Sequence, residues 1–133
     1  MNWRYLDIVD FLLIAEAVLE IEAERLARLD RLGLADSALA APAASFAGKE
    51  AYEAFSTKVA VLGWHLIRNH PLPDGNKRVG LLAMIEFVRR NGWTWNSDPG
   101  DAAASDAIIR AVADGSLSQD EFARWVEQRI EEP

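Results

Sequence analysis

Apolar residues along this chain recur with a helical period and almost nowhere alternate as a strand would. The cleanest stripe is Tyr52, Phe55, Val59, Leu62 and Leu66, spaced by three or four positions, which is one face of a 3.6-residue helix. Pro71 and Pro73 cannot continue it, so it is expected to stop near Asn69. Residues 79–88 carry one charge, Glu86, and a helix apolar nearly all round is expected at the centre of a bundle. Asn91-Gly92 supplies its C-terminal cap. Toward the N-terminus, residues 6–32 read as one helical stretch, with Val9, Leu12, Leu13, Leu19, Leu26 and Leu29 facing the core. A short helix is predicted from an N-cap at Asp36 to Ala41, where Pro42 ends it, and residues 42–49 read as an ordered loop anchored by Phe46.

Past the centre, Pro99 suits the start of a helix that turns Ile108, Ile109 and Val112 inward before Gly115. Ser118 and Glu121 have the spacing of a capping box, followed by Phe122, Trp125, Val126 and Ile130 on one face. Trp93-Thr94-Trp95 is the one brief extended piece. No repeat or long linker divides the chain, so the expected architecture is all-α: one domain over residues 1–133, a bundle of about six helices.

Composition narrows the setting. Half of the 133 residues are apolar, enough for one sizeable core. With no cysteine, neither a disulfide framework nor a thiolate metal site can form, which favours the cytoplasm. The apolar run 11–15 is flanked by Asp7, Asp10 and Glu16 with no basic region before it, unlike a signal peptide, and no run approaches the roughly 18 residues of a membrane span. Fourteen basic and 21 acidic residues give a net charge of −7, unfavourable for direct nucleic-acid or membrane binding. Five basic and two acidic residues fall between His65 and Trp95, leaving +3 there and −10 elsewhere, a basic island suited to a confined anion.

That island contains His70-Pro71-Leu72-Pro73-Asp74-Gly75-Asn76-Lys77-Arg78. The prolines stiffen the backbone after the first helix and hold His70 at a fixed point. Gly75 allows positive φ or the approach of a ligand. The amides of Gly75, Asn76 and Lys77 open the next helix without intrahelical partners, so an anion there meets free N–H donors and the positive end of the helix dipole. Lys77 and Arg78 add charge at the same spot. Asp74 would repel a phosphate unless a cation stood between them, and Mg²⁺ bridging the two resolves the conflict. His70 is the group nearby able to take a proton near neutral pH. A base, a metal carboxylate and a phosphate cradle suit transfer from a nucleotide to a hydroxyl.

The nine-residue string resembles the signature of the Fic/Doc family, His-Pro-Phe-x-(Asp/Glu)-Gly-Asn-(Gly/Lys)-Arg. Upstream, Leu-Ala-Asp-Ser-Ala-Leu-Ala-Ala-Pro-Ala-Ala-Ser-Phe-Ala-Gly at 34–48 is similar to the family's approach to its flap. The resemblance implies a helical fold with a short flap loop. It also implies His70 as general base, Asp74 on Mg²⁺, and Gly75, Asn76, Lys77 and Arg78 on the phosphates of ATP. Ser45, Phe46, Ala47 and Gly48 would form the flap that lays a target segment across the site by backbone pairing. Arg68, two residues before His70, is a further candidate for the same site.

Two departures from the pattern carry information. Leu72 replaces the usual Phe and can still anchor the loop. Lys77 stands where adenylyl-transferring members have Gly, and its side chain fills the space an α-phosphate would need. The Doc branch has Lys there, binds ATP in the reverse sense and transfers the γ-phosphate to a threonine of elongation factor Tu. Leu81, in place of the second Arg of the Fic motif, points the same way. The chain lacks the inhibitory (Ser/Thr)-x-x-x-Glu-(Gly/Asn) string, and the resemblance implies instead a separate antitoxin whose helical tail fills a groove. The expected function is thus a Doc-like kinase toxin acting on a translation factor, with AMP transfer or a silent binding module as rivals. His65 and His70, about 140° apart around a helix, do not make a metal pair. His65 is expected to be a partly buried helix residue, and Arg89 and Arg90 to serve a helix C-terminus.

Overall fold

The computed structural model describes residues 2–96 and 102–133. Seven α-helices lie among them: α1 (Ile8–Leu19), α2 (Ala23–Leu26), α3 (Leu32–Ala40), α4 (Phe55–Asn69), α5 (Asn76–Arg90), α6 (Ala102–Asp114) and α7 (Gln119–Glu127). Two short antiparallel pairs complete the fold, β1 (Ser45–Phe46) with β2 (Lys49–Glu50), and β3 (Thr94–Trp95) with β4 (Ile130–Glu131). The all-α expectation holds. Helix α4 forms where its stripe predicts, but it buries more than that stripe. Ala60, Val61, Gly63 and Ile67 are enclosed beside Phe55, Val59, Leu62 and Leu66. It touches α3, α5, α6 and α7, so α4, rather than α5 with its nearly uncharged middle at 79–88, is the innermost helix. Helix α5 packs on α4 and α1 and turns Lys77, Arg78, Leu82 and Arg89 outward. A neutral side chain such as Leu82 is no guarantee of burial.

At the α4–α5 crossing, small residues let the backbones approach. A Cβ on Gly63 would run into the Met84 side chain, and one on Gly80 would meet Ile67 Cγ1 at 2.7 Å. The helix end at Asn91-Gly92 is as predicted. Gly92 has φ 80°, and the amides of Gly92 and Trp93 return to Arg89 and Val88. Phe11, Phe87 and Phe122 are fully enclosed, each contributing about 1.5–3 kcal/mol over exposure.

The N-terminal stretch is not one helix. Asp7 caps α1, and Asp7 and Asp10 exchange side-chain and backbone hydrogen bonds in a capping box. The helix ends at Glu20, whose φ is 57°, while the Glu16 carboxylate accepts from the Ala23 amide at 2.7 Å and holds the turn. Phe11 and Ala15 face the core, whereas Val9 and Leu13 are 58% and 55% exposed. In a segment apolar on every side, the sequence does not fix which face turns inward. Helix α3 begins at Leu32, so Asp36 is an exposed mid-helix residue rather than a cap.

A single 3₁₀ turn, Ala41–Ala43, follows, and then the β1–β2 hairpin. Ala47 (φ 52°) and Gly48 (φ 80°) form its two-residue turn, with both φ positive as a tight hairpin needs. Phe46 is 85% exposed and anchors nothing. The anchor is Lys58 of α4, fully buried, whose Nζ donates to Pro42 O at 3.0 Å and to Glu50 at 3.2 Å.

In the C-terminal part, Ile109 and Val112 are buried and Gly115 ends α6 at φ 83°. Pro99 lies outside the described residues. Ser118 and Glu121 form the predicted capping box of α7. Trp93-Thr94-Trp95 is extended as expected, and Trp95 pairs with Ile130, which is therefore a strand residue and not part of the α7 face. Among the described residues, no helix is long and apolar enough to cross a membrane.

Candidate active site

Helix α4 ends and α5 begins on either side of residues 70–75, and both junctions use left-handed backbone. His70 closes α4 with φ 49° and ψ 56°, and Gly75 opens α5 with φ 76°. A non-glycine residue is uncommon in that region and has to be held there by its surroundings. Arg31 does the holding. Its Nε donates to His70 O at 2.8 Å and its Nη2 to Asn69 O at 3.0 Å, placing a cation on the carbonyls at the end of α4. Asn69 Nδ2 reaches Leu34 O at 3.3 Å, so the start of α3 and the end of α4 are tied together.

Pro71 and Leu72 are buried, Leu72 to 3% exposure, so the leucine anchors the loop as a phenylalanine would. Gly75 is required by its backbone and by α1: an added Cβ would meet Leu19 Cδ2 at 2.7 Å. The space behind Gly75 is thus occupied by α1, and the cleft opens on its other side.

Asn76 is the buried polar residue of the loop, 7% exposed. Its Oδ1 accepts from Leu72 N at 3.0 Å, its Nδ2 donates to Leu72 O at 2.9 Å, and the same nitrogen lies 3.2 Å from His70 Nδ1. The side chain is therefore spent within the loop, clamping Leu72 and touching the imidazole. Its backbone amide belongs, with those of Gly75 and Lys77, to the start of α5, where helical geometry leaves the first amides without intrahelical partners. No side chain caps this helix end and no acidic residue stands in its first turn. Asp74, Lys77 and Arg78 are exposed, and among the described residues none of them is in an ion pair.

His70, Pro73, Asp74, Gly75, Asn76, Lys77 and Arg78 line one cleft of about 240 Å³. That is below the roughly 300–1,000 Å³ of sites that enclose a whole small molecule, and suits the phosphate end of a nucleotide. Asp74 is the one carboxylate there, and the described residues contain no cluster of three or more His, Cys, Asp or Glu able to hold a metal.

Two groups of candidates lie elsewhere. Arg68 points to the end of α6, where Nη1 donates to Val112 O at 2.9 Å and the guanidinium lies over the Trp64 ring at 5.3 Å. On a helix its direction differs from that of the loop beyond, so nearness in sequence misleads. Ser45, Phe46, Ala47 and Gly48, expected as a flap loop, belong to the β1–β2 hairpin, whose base is fixed at Lys58, twelve positions before His70. At a helical rise of 1.5 Å, that is about 18 Å along α4. Arg31 went unnoticed in the sequence because its partners are 38 and 39 positions away, and no local pattern marks it. His65 is half-buried, and loss of hydration lowers its pKa below the usual histidine value.

The Fic/DOC family profile matches residues 5–88, which include the whole cleft. The chain is also 36% identical over 91 residues to a protein of Mycolicibacterium smegmatis (strain ATCC 700084 / mc(2)155) named Toxin Doc, covering 68% of this chain and 69% of that one.

Proposed function

The chain belongs to the Fic/DOC family, and from that premise we propose that it is the toxin of a toxin–antitoxin pair, a Doc-like kinase. It would transfer the ATP γ-phosphate to a serine or threonine hydroxyl of a translation factor of the elongation factor Tu kind. The observation that carries this reading is the start of α5: free amides, two unpaired cations and an imidazole around a cleft of phosphate size. Lys77 supports the kinase over AMP transfer, since a lysine lines the cleft at the position where the Fic motif has a glycine.

In this reading the amides of Gly75, Asn76 and Lys77 grip phosphate oxygens along the α5 dipole, and Lys77 and Arg78 spread the charge that grows during transfer. Asp74 would hold Mg²⁺ together with phosphate oxygens and water, a donor set that suits this ion because it keeps much of its hydration. When bound, the ion offsets phosphate charge beside the carboxylate. His70 accepts the proton of the attacking hydroxyl as its oxygen bonds to phosphorus and ADP leaves. The hairpin offers a target strand its edge for backbone pairing. About 18 Å separates the hairpin base from the end of α4, so five or six extended residues of the target would run between hairpin and His70. The toxin's activity would be contained by an antitoxin whose helical tail fills a groove on this surface.

Labelled ATP tests the reading. Label from the γ position on the target protein supports the kinase, and label from the α position supports AMP transfer. Growth arrest on induction, relieved by His70→Ala, is expected of either enzyme, whereas equal arrest by both forms indicates a binding module.

A further inference from the structure

We infer that Asn76 is a positioning residue that masks the basic nitrogen of His70 in the nucleotide-free protein, a regulation of the transfer chemistry that rests on the reading above. The orientation of the Asn76 amide is fixed by two backbone groups. Leu72 N–H requires an oxygen opposite it and finds Oδ1 at 3.0 Å, and Leu72 C=O requires a donor and finds Nδ2 at 2.9 Å. Exchanging the two atoms would set N–H against N–H and oxygen against oxygen. The second hydrogen of Nδ2 then has one partner, His70 Nδ1 at 3.2 Å, and an N–H is satisfied only by a lone pair. Nδ1 must carry that lone pair, so the neutral ring keeps its own proton on Nε2. The tautomer follows from bonding partners fixed elsewhere in the loop.

The consequence concerns the proton of the target hydroxyl. That proton can pass only to a nitrogen with a free lone pair. In the resting loop Nε2 already bears hydrogen, and Nδ1 is covered by Asn76. For Nε2 to become the acceptor, the ring proton must sit on Nδ1, which would place two donors face to face across 3.2 Å. Before transfer, the imidazole must turn about Cβ–Cγ, or Asn76 must release it. The resting cleft therefore presents an Nε2–H donor, suited to a phosphate oxygen, and becomes basic only once the loop rearranges around its substrates. His70 is free to turn because its ring is exposed, while the Asn76 clamp on Leu72 stays buried.

The test is nuclear magnetic resonance of the ¹⁵N-labelled full chain without nucleotide, in mildly alkaline buffer. The chain has two histidines, and His65→Gln assigns them. The expected spectrum shows the His70 ring wholly as the Nε2–H form, with a ¹⁵N–¹⁵N coupling through the hydrogen bond from Asn76 Nδ2 to Nδ1. Asn76→Asp places an acceptor against Nδ1 and should move most of the ring proton there, leaving His65 unchanged. A wild-type ring with its proton on Nδ1, or a tautomer identical in wild type and Asn76→Asp, overturns the inference. Should Asn76→Asp fail to fold, the wild-type coupling decides: its presence supports the masked base and its absence refutes it. The spectrum is read without any transfer reaction. Failure to label a target protein would therefore sink the kinase and leave the tautomer standing, and the reverse holds equally.

Discussion

Helices α7 and α5 begin in opposite ways. At α7, the Ser118 side chain takes the Glu121 amide, the Glu121 carboxylate takes the Ser118 amide, and Asp120 and Glu121 put negative charge in the first turn. Helix α1 does the same with Asp7 and Asp10. At α5 the cap is a glycine, no side chain reaches the amides, and Lys77 and Arg78 bring positive charge to the positive end of the dipole. Acids at a helix start stabilise it by about 0.3–1 kcal/mol each, and cations there have the opposite sign. Helices α3 and α4 also start without a side-chain cap or a first-turn acid, so what sets α5 apart is the pair of cations, Lys77 and Arg78, at its start. On the function proposed above, that pair and the open amides await a phosphate.

The largest effect that would test the contrast is chemical. His70→Ala should lower transfer of label to the target about 10²–10⁴-fold, as loss of a general base does, while thermal unfolding stays close to wild type. A variant that unfolds early would instead make His70 a structural cap. Next in size, Lys77→Ala and Arg78→Ala should each weaken nucleotide binding in calorimetry by roughly tenfold or more, the scale of a lost charge-assisted hydrogen bond. The same variants should gain up to about 1 kcal/mol of stability, because a misplaced cation has gone. Loss of affinity and stability together would break the contrast.

At the completed start, the expectation reverses. Ser118→Ala should cost about 1 kcal/mol in denaturant unfolding and leave nucleotide affinity untouched. The smallest effect concerns Asp10, whose carboxyl lies below the usual aspartate value chiefly because Arg90 hydrogen-bonds it, at 2.7 and 3.0 Å. A lowered folded-state value favours folding above the unfolded pKa of about 4, and that contribution fades as pH falls through the folded value. In Asp10→Asn the acid limb of the melting profile below about pH 4 should therefore be shallower, with nucleotide affinity at neutral pH unchanged. A limb as steep as wild type would place the acid sensitivity elsewhere.

What could be read from the sequence follows from the range of the interactions. Helix α4, the close of α5, the capping box of α7 and the nine-residue loop are written in neighbours three or four positions apart, and the structure places them where expected. The break after Leu19 is not legible, because Glu20 takes left-handed backbone without a glycine to announce it and the brace comes from a Glu16 carboxylate seven residues from its partner. The exposure of Phe46 depends on a hairpin that projects from the bundle, and the errand of Arg68 depends on the end of α6, 44 residues on. Within the site, residue types told which chemistry was possible. That Asn76 works inward and that Arg31 holds His70 from behind required coordinates.

The glycines where α4 crosses α5 bear on how such a protein could be tuned. The imidazole rides on one rod and the amides proposed to take the phosphate on the other, and residues 71–75 only bridge the gap between them. Their separation is gauged at the crossing, where Gly63 meets Met84 and Gly80 meets Ile67, a full turn or more of helix from any reacting atom. One methyl group added there would spread the two rods like the jaws of a caliper, altering reach between base and phosphate without touching either.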